Sequence, residues 1–202
     1  MLLFSVALML VMASMANPVF SNYSLTARKG WLRLAPSIET LESPASPTFV
    51  ARRQTETNFS STTLLDGSEM TDGIQAGLTA YAAPLNHYDV VAEKRDGRLF
   101  VKAQIRIGEM SHIEKETEMN GPLAYLRITS DKAYYYLQVS SDNQLFTTLT
   151  RMDYRYLSTE VIGGFTGVML GLFCTAPQTK GFAYFDWFEY STKENIPVFI
   201  RN

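Results

Sequence analysis

The segment Asp153-Tyr-Arg-Tyr-Leu-Ser-Thr-Glu-Val-Ile-Gly-Gly-Phe-Thr-Gly-Val-Met-Leu-Gly-Leu-Phe173, followed by Phe182-Ala-Tyr-Phe-Asp-Trp-Phe-Glu-Tyr190, decides the fold. It reads as a loop, a buried strand, a turn and a two-faced strand. Val168 to Phe173 is an apolar run too short for a typical helix and interrupted by Gly171. A glycine there suits a strand that another backbone or a bulky neighbour approaches closely. In the last segment strict alternation sends Ala183, Phe185 and Trp187 one way and Phe182, Tyr184, Asp186, Phe188 and Tyr190 the other. Trp187 is therefore expected in the core.

Upstream the same pattern recurs. Candidate strands cover 31–34, 48–53, 58–65, 75–81, 88–93, 99–107, 123–129, 133–139, 144–149, 168–174 and 182–190. Asp66-Gly67, Arg95-Asp96-Gly97-Arg98, Asn120-Gly121-Pro122 and Ser141-Asp142-Asn143 carry reversal chemistry between them. Two hairpins stand out: Tyr88–Glu93 with Leu99–Ile105, and Tyr134–Val139 with Gln144–Phe146. Many short strands without an amphipathic helix predict an all-β sandwich or barrel. The proline-punctuated stretch from Pro36 to Pro47 reads as a polar loop within one domain.

The chain has 202 residues, 46% of them hydrophobic, enough for one domain with a real core. Its net charge of −2 offers no basic excess to grip phosphates, so nucleic acid is not an expected partner. The uncharged run Leu2–Met15 is shorter than the roughly 20 apolar residues of a membrane span. Ser14-Met-Ala16 places small residues where signal peptidase cuts, although the run has no preceding Lys or Arg. The expectation is a signal peptide over 1–16, a single domain over 17–202, a secreted protein and no membrane association after cleavage. Asn22-Tyr-Ser24 and Asn58-Phe-Ser60 make Asn22 and Asn58 glycosylation acceptors in that setting. Cys174 is the only cysteine and ends an apolar strand, so it reads as a buried, inert thiol.

Several blocks in order carry a resemblance. Ser24-Leu-Thr-Ala-Arg-Lys-Gly-Trp-Leu-Arg-Leu34, Ser46-Pro-Thr-Phe-Val-Ala-Arg-Arg-Gln54, Ala76-Gly-Leu-Thr-Ala-Tyr81, Asn86-His-Tyr88 and the two closing segments resemble the C-terminal domain of family 43 glycoside hydrolases, the β-xylosidases and α-arabinofuranosidases. The resemblance implies a concanavalin A-like jelly-roll β-sandwich of two antiparallel sheets. In that family the sandwich follows a five-bladed propeller, and the propeller carries the catalytic carboxylates. It also implies partners: hemicellulose of the xylan or arabinan type, or a propeller catalytic domain.

The residues themselves offer little acid–base machinery. Glycoside hydrolysis needs two carboxylates across the scissile bond. No Glu-x-Asp-x-x-Glu run occurs, and Asp186 and Glu189, three apart, face opposite sides of a flat strand. Glu114-Lys-Glu-Thr-Glu118 reads as a solvated loop or edge. His87 and His112 fit no zinc pattern. No catalytic residue is therefore assigned. The expected function is a non-catalytic accessory domain, the alternative a stand-alone carbohydrate-binding module and the least favoured reading an independent glycosidase. Sugar-binding proteins set aromatic faces against the ring and polar groups against the hydroxyls. Trp31, alternating with Arg33, is a candidate for such a face. By resemblance, Phe165 in Gly-Gly-Phe-Thr-Gly matches a loop aromatic that reaches toward the propeller's active site. Arg155 and Tyr156 precede that loop and are expected to share its surface. The family often carries two Asp residues where this chain has Tyr184 and Asp186, which leaves Asp186 as the one expected ligand of a structural calcium ion.

Overall fold

A computed structural model describes residues 2–3, 13–14, 17–163, 167–178 and 180–192. Two antiparallel sheets stack face to face. The first runs in the order β13 (Thr147–Asp153), β12 (Tyr134–Ser140), β11 (Leu123–Asp131), β6 (Asn58–Asp66), β15 (Ala183–Thr192), β4 (Leu32–Leu34) and β3 (Tyr23–Ser24), with β1 (Leu2–Leu3) also on β15. The second runs β10 (Met110–Glu118), β9 (Arg98–Ile107), β8 (Asn86–Arg95), β7 (Gln75–Ala83), β14 (Met169–Thr175), β5 (Thr48–Arg53) and β2 (Ala13–Ser14). β1 and β2 belong to the stretch read as a leader; they pair with Trp187–Phe188 and Val50–Ala51 respectively. The all-β sandwich expectation holds.

The core lies between the sheets. Leu65, Leu126, Ile128, Leu137, Phe185 and Phe188 from the first meet Leu78, Tyr88, Val90, Val101, Leu170 and Leu172 from the second. Each aliphatic or aromatic side chain so buried contributes about 1.5 to 3 kcal/mol. Cys174 sits among them, free and buried, and burial pushes its thiol well above its ordinary range. A thiol held protonated is a poor nucleophile.

The β8–β9 hairpin forms as expected, closed by Asp96 and Gly97, both with φ in the left-handed region. Asp-Gly supplies that geometry cheaply. The second hairpin differs. Gln144–Phe146 belong to the turn, and the partner strand of β12 starts at Thr147. Asp142 explains the shift: its carboxylate accepts from the backbone N–H of Gln144 and of Leu145 at 2.8 and 3.0 Å, tying those residues into the reversal.

The charge run Glu114–Glu118, expected as a solvated loop or edge, is part of β10. β10 is a nine-residue rim strand, almost wholly exposed, with a bulge between Ile113 and Lys115. Arg95 and Arg98 from the neighbouring hairpin hold Glu116 and Glu118 at 2.6 and 3.1 Å. Charged, bulged rims are a common protection of open sheet edges.

β15 corrects the alternation argument. Its register with β6 shifts between Phe185 and Phe188. The bulge lets Phe185 and Phe188 both enter the core and turns Trp187 to the outer face, where its ring lies 6.5 Å from Tyr125. The Trp187 carbonyl released by the bulge accepts from Thr63 Oγ1 at 2.5 Å. The same bulge removes the flat-strand premise for Asp186 and Glu189, which are both half-buried.

Gly171 does what its position implied. A Cβ there would stand 2.5 Å from the Phe49 ring and 2.6 Å from Ala51 Cβ. That ring covers the outer face of the second sheet, in a small second core with Leu41, Tyr81, Val91 and Phe173.

Candidate functional site

One end of the sandwich gathers the β7–β8 turn, the end of β5 and the loop after β13. Asp153 starts a 3-10 turn over Tyr154–Leu157. Its carboxylate accepts from the Arg155 backbone N–H at 2.9 Å and from the Arg155 guanidinium at 3.0 and 2.6 Å. Those bonds hold the Asp153 carboxyl below its ordinary range. Leu157 is buried, and three bonds lock the loop to both sheets. Tyr88 Oη donates to Asp153 O at 2.8 Å, Asn86 Nδ2 to Tyr156 O at 3.0 Å, and Tyr154 N to Ala133 O at 3.1 Å.

The result is a rigid shelf. Tyr154 and Tyr156 stay 45% and 42% exposed, and Val161, from the helical turn Thr159–Ile162, is 53% exposed. Arg155 lies between the two tyrosines. Two tyrosines and a valine are thus left partly exposed on one short segment that a buried leucine anchors. Gly163 and Gly167 both have positive φ, marking the corners of the glycine-flanked loop. Phe165 itself lies outside the described residues.

Trp31 does not join this shelf. It precedes β4, whose Leu32 pairs with Phe185, toward the Asp66 end of the first sheet. The shelf lies at the Asn58 and Asp131 end, through Ala133. β6 alone spans about 30 Å at 3.3 to 3.4 Å per residue between those ends. Moreover, the Arg28 guanidinium lies 3.9 Å over the Trp31 ring, so one aromatic face is already covered.

Arg28 also bears on the calcium expectation. It pairs with Asp66 at 2.6 Å and is the charged neighbour that opposes the upward push of burial on the Asp186 carboxyl. Among the described residues no group of three or more His, Cys, Asp or Glu side chains is placed to hold a metal ion. Calcium takes six to eight oxygen ligands; the cation described beside the Asp66 and Asp186 carboxyls is the Arg28 guanidinium. Of the two glycosylation candidates, Asn22 donates through Nδ2, the atom a glycan would occupy, to Thr48 Oγ1 at 2.9 Å. Asn58 opens β6 and is half-exposed.

A second feature escaped the sequence reading. On the outer face of the second sheet, register stacks Tyr81 beside His87 and Arg106, and Thr79 beside Asp89 and Gln104. His87 Nδ1 lies 2.7 Å from Asp89 Oδ2, with both side chains only 2% exposed. Burial depresses the imidazole, but the Asp89 charge and hydrogen bond, aided by Glu42, outweigh it and raise the His87 pKa. The 36–47 loop covers this face. Its Ser37 backbone exchanges bonds with Cys174 and Ala176, and its Glu42 lies 3.7 Å from Arg106. Beneath the loop is a cavity of about 160 Å³. His87 and Asp89 are two apart on a strand and so share a face; that was the available signal.

Residues 6–191 match the family described as the β-xylosidase C-terminal concanavalin A-like domain. The chain is 29% identical over 178 residues to a non-reducing end α-L-arabinofuranosidase of Bacteroides ovatus, covering 86% of this chain and 33% of that protein. It is 32% identical over 178 residues to a putative β-xylosidase of Escherichia coli, covering 83% and 33%. The solved structure of a family 43 protein from the Bacteroides ovatus xyloglucan locus superposes with a TM-score of 0.83 at 27% identity, over 91% of this chain and 37% of that one. The chain thus spans about a third of the length of the curated relatives it matches.

Proposed function

Since this chain belongs to the β-xylosidase C-terminal concanavalin A-like domain family, we propose that it serves as the accessory sandwich of a hemicellulose-degrading family 43 glycoside hydrolase and seats against a catalytic propeller through the Tyr154–Tyr156 shelf. The observation that carries the reading is the correspondence of nearly the whole chain to about a third of enzymes that act on arabinosides or xylosides by name. The locked shelf supports it. A turn anchored by Leu157 and three cross-sheet bonds can hold two tyrosines and an arginine toward a neighbour at little entropic cost on docking. The glycine-cornered loop bearing Phe165 follows directly and belongs to the same proposed surface.

The test is reconstitution. The catalytic portion of the Bacteroides ovatus arabinofuranosidase, made without its own C-terminal domain, is mixed with the purified chain. Complex formation is read by light scattering and activity on an aryl arabinoside. Association that is lost on Tyr156→Ala and Tyr154→Ala together supports the proposal. Failure of the chain to associate, with the propeller folded, refutes it. Secretion is part of the same proposal and rests on the uncharged run Leu2–Met15 followed by Ala16. Cleavage after Ala16 would remove β1 and β2 from the two sheets, and the intact mass of protein from a secreting host reads it directly.

A further inference from the structure

The cavity under the 36–47 loop opens on the outer face of the second sheet and has its own chemistry. Its inner wall is Leu41, Val91, Phe173 and the buried His87–Asp89 pair. Gln75, Gln104, Thr40 and Thr175, half-buried or exposed, surround its mouth. Both charged walls are already matched: Asp89 by His87 at 2.7 Å, Glu42 by Arg106 at 3.7 Å. An ionic guest would find no free counter-charge, so the chemistry favours a neutral one. Yet His87 Nε2 and Asp89 Oδ1, on fully buried side chains, have no hydrogen-bond partner. Buried polar atoms in native proteins are nearly always satisfied. The two amides and two hydroxyls give the mouth both donors and acceptors against an apolar wall, while His87 Nε2 and Asp89 Oδ1 themselves are closed to solvent and come within a guest's reach only on a small shift of the pair.

Size limits the guest. At about 160 Å³ the space is close to that of an engineered cavity of roughly 150 Å³ that holds a single six-membered ring. An oligosaccharide would not fit inside, but one hydroxyl-rich ring would.

We propose that the cavity bounded by Leu41, Phe173, Gln104 and the His87–Asp89 pair binds one ring of a neutral carbohydrate, as a monosaccharide or the end of a chain. The site acts in the isolated chain and does not depend on the propeller reading, so each can fail without the other.

The chain has only two histidines, His87 in the cavity and His112 exposed on β10. Their imidazole carbon-bound proton resonances therefore give an internal probe and an internal control. The full chain is titrated with xylose, arabinose and glucose, and with cyclohexanol as a ring lacking most hydroxyls. The expected result is a saturable shift of the His87 resonance with at least one sugar, weaker or absent with cyclohexanol, and no shift of His112. Gln104→Ala, at a half-buried position, should weaken that sugar's binding about fivefold or more while leaving the His87 resonance of the free protein in place. Gln75→Ala provides a second variant should the first unfold. No His87 shift with any sugar overturns the proposal. So does an equal shift at His112, or affinity unchanged in the folded variants.

Discussion

Asp89→Asn should reverse the sign of the pH dependence of stability contributed by His87. In the wild-type fold the imidazole sits against a buried carboxylate, which holds its pKa above the ordinary 6.5. A raised folded value means stability that is fully present below pH 6.5 and declines as pH rises through the folded pKa. Removing the carboxylate charge deletes the main raising influence. Burial, the largest single influence on this group, then acts almost unopposed, since Glu42 and Arg106 pull in opposite directions. The folded pKa drops below 6.5, the unfolded chain binds more protons, and stability climbs with pH instead. Either slope is limited to about 1.4 kcal/mol per pH unit for one proton. Breaking a buried pair costs about 3 to 5 kcal/mol; because imidazole can release its proton, the lower figure applies near pH 6, and the deficit narrows toward pH 8. For a chain of this size that is roughly 6 to 12 °C in Tm at pH 6. Urea unfolding of both proteins at half-unit steps between pH 5.5 and 8.5 measures it. A variant whose stability falls with pH in parallel with the wild type would refute the assignment of Asp89 as the group that raises the His87 pKa.

Other outcomes follow from packing and bonding. Gly171→Ala pushes a methyl group into Phe49 and Ala51 and should cost about 1 to 3 kcal/mol by urea unfolding; adding Phe49→Leu should recover part of that loss, and an additive double variant would contradict the clash. Thr63→Val takes the donor from the Trp187 carbonyl at the β15 bulge and should cost about 1 to 3 kcal/mol, with no change in the urea m-value. Chelator treatment should leave the unfolding midpoint unmoved if Arg28 is the cation at Asp186; a drop restored by calcium would reinstate the ion.

Local rules carried the sequence reading a long way. Alternation and an Asp-Gly turn were sufficient for the β8–β9 hairpin, and a glycine within an apolar run was sufficient to expect close approach at Gly171, though not to say that a ring makes it. What alternation cannot contain is a dropped register. The β15 bulge depends on Thr63, more than a hundred residues away, accepting the task of satisfying one carbonyl, and it decides which side Trp187 occupies. The β13 start depended on Asp142 recruiting backbone donors that a strand would otherwise use. The shelf was half legible: Arg155 and Tyr156 are adjacent in sequence, whereas the link from Asn86 to the Tyr156 carbonyl is a tertiary event. Trp31 looked similar by type but stands at the other end of the sheet. The cavity was least legible, since its roof comes from a proline-rich loop whose seating on β14 and β9 no local pattern announces.

The rim strand β10 bears on how copies of this molecule behave together. Lys115 and a ladder of carboxylates at 114, 116 and 118 face water along an otherwise open edge. Two such edges approaching each other in solution would have to strip water from these charges, and part Glu116 and Glu118 from Arg95 and Arg98, before any backbone bond could form. That barrier is electrostatic and has a range of only about 8 Å at physiological ionic strength. Concentrated salt shortens it further, so salting conditions are where crystals or fibres built edge to edge would first become accessible.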